Sequence, residues 1–79
     1  MAKKMWHLIF PQKHIKKPVI YTMAKKYDVI PNIRRAKITE KVGEVTLELS
    51  STSENLEKAR RYLESRGVKV EPIIGDIVE

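Results

Sequence analysis

Cysteine is missing from all 79 residues of this chain. Its absence excludes a disulfide staple, a thiolate nucleophile, an iron–sulfur cluster and a cysteine-ligated zinc ion. Histidine is scarce as well. His7 and His14 stand apart in the sequence with no carboxylate partner evident for either, which leaves neither a metal site nor a general base to expect. No G-x-x-x-x-G-K-[ST] stretch is present to cradle a nucleotide phosphate. No window approaches the roughly 18 apolar residues of a membrane span. The N-terminal MAKKMWHLIFP is interrupted by His7 and Pro11 before it can form the apolar region of a secretion signal, so a cytoplasmic location is expected. No nucleophile–base pair or carboxylate constellation can be assembled either. A noncatalytic protein with no cofactor is the expectation.

What is present suits one small folded domain over residues 1–79, with a core expected over 5–72 and an apolar tail at 73–79. The chain is 42% hydrophobic and 33% charged, a balance that supports a core rather than a disordered tail. Its net charge of +6 is uneven. Residues 1–41 carry eleven Lys/Arg against Asp28 and Glu40, whereas residues 42–79 carry five against eight acids. Such asymmetry marks either a surface for an anionic partner or two differently solvated faces.

Hydrophobic periodicity then orders the elements. Met5 to Phe10 alternates, with Trp6, Leu8 and Phe10 on one face and Met5, His7 and Ile9 on the other. Pro18 is placed to open a helix whose face is Ile20, Met23, Ala24 and Tyr27. Asn32 to Val42 alternates again, Gly43-Glu44 reads as a tight turn, and Val45, Leu47 and Leu49 continue as an inward face. Ser51-x-x-Glu54 offers a capping box, with Thr52 or Ser53 as equal candidates for the cap. Leu56, Ala59 and Leu63 form the stripe of a second helix, which Gly67 stops. Val68 and Val70 mark a last strand ended by Pro72. The order β-α-β-β-α-β predicts an α+β ferredoxin-like sandwich, two helices on one face of a four-stranded antiparallel sheet with strand order 4-1-3-2. The apolar tail residues Ile73, Ile74, Ile77 and Val78 are expected to cover a sheet edge or a partner.

An apolar strand ending in Phe10-Pro11, a helix opened by Pro18, Asn32-Ile33 with Ala36 and Ile38 leading into Val42-Gly43, and a final Arg66-Gly67-Val68-Lys69-Val70 together resemble the NIL domain. That ACT-like module is named after an Asn-Ile-Leu sequence and occurs at the C-terminus of methionine-importer ATPases and in small ferredoxin-containing proteins of sulfur metabolism. Here Arg34 stands where the Leu would complete the motif. The resemblance implies a homodimer that binds methionine or a related amino acid between subunits, with Asn32 and Ile38 among its contacts and Ile33, Arg34 and Ala36 shaping the same strand. An amino acid presents a carboxylate that needs donors and an ammonium that needs acceptors, and one carboxamide supplies both. Ile38, on the side of Asn32 by period two, would offer apolar surface to a thioether. Asn32 after Pro31 also suits the plainer task of closing a turn.

Three functions compete. A ligand-binding regulatory domain, read out by a transporter or enzyme partner, is the first. An accessory interaction subunit in sulfur assimilation or homocysteine formation is the second. RNA binding ranks below both, because the third strand, EVTLELS, has no aromatic residue for base stacking and directs Glu48 outward.

Overall fold

The computed structural model describes residues 2–11 and 18–73. It has β1 (Ala2–Pro11), α1 (Val19–Tyr27), β2 (Ile30–Ile38), β3 (Val42–Ser51), α2 (Ser53–Ser65) and β4 (Lys69–Pro72). The strands form one antiparallel sheet in the order β2-β3-β1-β4. This is the expected ferredoxin-like sandwich, with both central strands supplied by β1 and β3.

The period-two pattern of β1 and β3 builds the core. Trp6, Leu8 and Phe10 are buried and lie opposite Leu47, Val45 and Gly43. Met23 of α1 and Leu56, Ala59 and Leu63 of α2 close over them, and Val29, Val68 and Val70 complete the cluster. Each fully buried leucine contributes roughly 1.5–3 kcal/mol by leaving water. The apolar face of α1 is rotated slightly from the expected stripe. Val19 and Met23 are its buried residues, while Ile20 and Tyr27 are only half-covered.

Helix ends follow local chemistry. The Pro18 carbonyl accepts the Thr22 N–H at 3.0 Å, which makes Pro18 the cap rather than the first helical residue. Asp28 ends α1 in the left-handed region, φ 55° and ψ 51°. Of the three candidate caps for α2, Thr52 is the one used, its hydroxyl accepting the Asn55 N–H at 3.1 Å. Ser51 is instead buried and donates its hydroxyl to the Asp28 carbonyl at 2.8 Å, joining the end of β3 to the end of α1. Gly67 stops α2 as expected. With φ 82° it lets its own N–H reach the Glu64 carbonyl and the Val68 N–H reach the Leu63 carbonyl, both at 3.0 Å, the paired bonds of a Schellman motif.

One turn lies elsewhere than expected. The β2–β3 hairpin closes at Thr39 to Val42, not at Gly43-Glu44. The Thr39 N–H donates to the Val42 carbonyl at 2.8 Å, and the Thr39 hydroxyl accepts from the N–H groups of Lys41 at 3.3 Å and Val42 at 3.1 Å. A threonine side chain thus supplies the turn bonds that a glycine was expected to permit, and Gly43 becomes a buried strand residue. At the other end, the Ile73 N–H donates to the Met5 carbonyl at 2.9 Å, carrying the β4–β1 pairing past Pro72. The remaining tail residues and the His14 loop lie outside the described residues.

Thr52→Ala should lower the melting temperature by several degrees, since losing a cap costs about 1 kcal/mol and a domain of this size shifts roughly 4–8 °C per kcal/mol. Leu47→Ala, in the fully buried centre, should cost about 2–5 kcal/mol in urea unfolding. An equal effect of the two substitutions would contradict the core assigned here.

Candidate functional site

β2 is an edge strand, paired to β3 on one side only. Every one of its residues except the partly covered Pro31 is exposed, Ile33 by 57% and Ile38 by 63%. Proline at the strand's start is tolerated because an edge strand need not donate from both sides. Arg35, Lys37 and their neighbours charge the edge in the way that discourages indiscriminate pairing.

A bulge between Ile33 and Arg35 sets where each side chain points. Pro31 and Ile33 pair with Leu49 and Leu47, so they face the helices; beyond the inserted Arg34, Ala36 and Ile38 pair with Val45 and Gly43 and face the same way. Asn32, Arg35 and Lys37 pair with Glu48, Thr46 and Glu44 and face the open side of the sheet. The expectation that Asn32 and Ile38 share a side by simple alternation is therefore overturned. One extra residue inverts the parity of everything beyond it. Of the five residues singled out in the sequence, Ile33, Ala36 and Ile38 lie on the helix side, Asn32 lies on the open side, and Arg34 occupies the bulge.

Ile38 borders a cleft of about 200 Å³ that sequence patterns did not reveal. Phe10 of β1, Gly43 and Val45 of β3, and the Pro18–Tyr21 start of α1 form its other walls. Gly43 lies between Phe10 and Ile38 in the sheet, and its missing side chain leaves the space open. Its φ is not positive, so the backbone does not require glycine there. Tyr21, 62% exposed on the free side of α1, forms the outer rim. The available clues were a glycine in a strand and an aromatic residue off the helix stripe, and neither shows a cavity until β1, β3 and α1 are assembled.

On the open face the carboxylate partner that the sequence did not disclose for His7 is Glu44. With its proton on Nε2, the imidazole donates to Glu44 Oε1 at 3.0 Å and accepts from the Thr46 hydroxyl on Nδ1 at 3.3 Å. Glu44 and Thr46 are two apart on β3, hence on one face, and His7 bridges them from β1. Met5, His7 and Ile9 are half-buried among these polar groups rather than forming an open apolar sheet. With Glu44 and Glu48 on the central strand, His7 tied to Glu44, and no Phe, Tyr or Trp on this face among the described residues, it lacks the stacking platform of an RNA-recognition sheet. Among the described residues no three His, Cys, Asp or Glu side chains gather to hold a metal ion, and no helix is long and apolar enough to cross a membrane.

The NIL domain family model matches residues 4–72. No curated protein matches the chain. Among solved structures it is similar to the C-terminal domain of an ABC transporter ATP-binding protein from Enterococcus faecalis, at 23% identity and a TM-score of 0.80, with 92% of this chain and 86% of that one covered. It is also similar to an uncharacterised conserved bacterial protein from Eubacterium ventriosum, at 13% identity and a TM-score of 0.57, covering 92% of this chain and 100% of the other. A de novo designed protein, Foldit4, shares the fold at 12% identity and a TM-score of 0.56, covering 94% and 97% of the two chains.

Because the exposed apolar residues of β2 add nothing to the core, Ile33→Ser and Ile38→Ser should each change unfolding free energy by no more than about 0.5 kcal/mol. A loss of 2 kcal/mol or more, on the order of a core truncation, would show that β2 is covered within the single chain.

Proposed function

As the chain belongs to the NIL domain family, we propose that it is a noncatalytic regulatory domain that binds L-methionine or a similar amino acid between two copies of itself. Asn32 holds the polar end of the ligand and Ile38 its apolar end, with Ile33, Arg34 and Ala36 shaping the strand between them. The observation that carries this reading is the uncovered β2 edge, which carries exposed isoleucines beside an apolar cleft.

The ligand's chemistry fits the two ends of the strand. The Asn32 carboxamide offers a donor to a carboxylate and an acceptor to an ammonium. At about 30 Å³ per water-sized group, the cleft beside Ile38 has room for roughly six heavy atoms, and a methionine side chain has about four. Within one copy the two residues cannot share a small ligand, since they face opposite ways and lie roughly 17–20 Å apart along the strand. A second copy whose β2 runs antiparallel about a two-fold axis near Arg35 brings its 36–38 stretch alongside Asn32. Since such an axis keeps the helix sides of the two sheets together, the ligand crosses the seam between the strands, from the open side at Asn32 to the helix side at the partner's Ile38. The site is then composite, one end from each copy, and binding is linked to assembly.

Charge sharpens that linkage. The same two-fold axis sets Arg35 and Lys37 of one copy near those of the other, which opposes pairing when no anion is present. The carboxylate of the zwitterionic ligand, set toward these cations with its ammonium turned away, lowers the repulsion. A transporter ATPase or a sulfur-metabolism enzyme then reads the assembled state. The transporter is suggested by the Enterococcus faecalis domain, which shares the fold.

Calorimetric titration with L-methionine should show saturable binding, and Asn32→Ala should weaken it at least tenfold without moving the melting temperature of the free protein. Gly43→Val, which fills the cleft, should do the same. Sedimentation should show that ligand, or added salt that screens the cations, favours the dimer. Absence of heat at several temperatures, together with an unmoved melting temperature at high methionine, would sink this reading; saturation at about 100 times the Kd should stabilise the fold by about 2.7 kcal/mol.

A further inference from the structure

We infer that the groove between α1 and α2, on the helix side of the molecule, is a docking surface for an acidic segment of a partner protein. This surface is separate from β2 and does not depend on the ligand reading. Four cations line the groove, Lys26 from α1 and Lys58, Arg61 and Arg66 from α2 and its cap, with Tyr27 and Tyr62 between them and no carboxylate in the lining. Lys58 and Arg61 are held by exposed pairs one helical turn away, to Glu54 at 3.2 Å and Glu57 at 3.4 Å. Lys26 and Arg66 have no carboxylate partner among the described residues. They rest instead on aromatic rings, Lys26 at 5.7 Å from the Tyr27 centroid and 5.4 Å from that of Tyr62, and Arg66 at 5.6 Å from that of Tyr62.

Geometry selects the class of anion. The space is open and about 630 Å³, with cations spread over two helices rather than converging on one point, which suits a polymer carrying several charges better than a single phosphate. Nucleic acid binding of this kind relies on free aromatic faces for base stacking. Here the two rings are tilted 57° against each other with centroids 5.7 Å apart, Lys26 lies against both, and Arg66 lies against Tyr62. Carboxylates of an extended peptide need no ring face. They can draw on the two cations that lack acidic partners while the two tyrosines line the groove.

The test is an amide NMR titration of the whole chain with an acetylated hexaglutamate peptide, beside tripolyphosphate and hexauridylate. The peptide should shift resonances of Lys26, Tyr27, Lys58, Arg61, Tyr62 and Arg66 and weaken with salt. The double substitution Lys26→Glu with Arg66→Glu should reduce its affinity tenfold or more while leaving the methionine titration unchanged. Should charge reversal disturb the fold, Lys26→Gln with Arg66→Gln provides the same comparison and should lower affinity at least threefold. Equal peptide binding by variant and parent, shifts confined to other surfaces, or tighter binding of tripolyphosphate or hexauridylate in this groove would each overturn the proposal. Loss of methionine binding in the parent protein would bear on β2 alone.

Discussion

The constraint on which this molecule depends is how two helices cover a four-stranded sheet. Their buried residues meet β1, β3 and β4, and not one residue of β2 enters the core. β2 is held by main-chain pairing to β3 while its side chains, the partly covered Pro31 apart, are exposed. The small core and the free edge are two aspects of one arrangement. A 79-residue chain has apolar area for one layer of contacts, and it concentrates that area on the central strands. The edge is then available for chemistry that a core position could not perform, because its residues can change partner without unfolding the domain.

Around that edge, three local devices determine what is presented. Thr39 closes the hairpin with its own hydroxyl, which moves the turn outward and draws Gly43 into the sheet. Gly43, lacking a side chain, opens the cleft beside Ile38. The bulge at Arg34 divides β2 into two halves of opposite parity, so the carboxamide of Asn32 faces one way and the isoleucine six positions on faces the other. The six-residue separation of the two along the strand suits a site shared by two copies better than a site within one. The electrostatics are similarly divided. On the open face, Lys37 of β2 sits across from Glu44 of β3 and the neutral Asn32 across from Glu48, whereas the charged residues that line the groove between the helices are all cations.

Much of the architecture was legible before any coordinates. Alternation in Trp6-Leu8-Phe10 and Val45-Leu47-Leu49, the stripe Leu56-Ala59-Leu63 and the stop at Gly67 all reflect forces acting within a few residues, and all stand as read. The errors have a common physical origin. Gly43 reads as a turn because glycine often makes one, but a neighbouring threonine supplied better hydrogen bonds. Ser51 reads as a cap by spacing, yet it was drawn inward by the Asp28 carbonyl, 23 positions distant. His7 reads as isolated because its partners, Glu44 and Thr46, lie on another strand.

By itself the sequence determined the element order, the α+β class, the core residues of the central strands and the family resemblance, since these rest on periodicity and short-range chemistry carried within each segment. Only the tertiary structure decided which way Asn32 faces, that Ile38 borders a cleft, that His7 is held by Glu44 and that four cations and two tyrosines share one groove. Those facts depend on register and on helix placement, where a single inserted residue reverses a strand's faces and where residues far apart in the chain become neighbours.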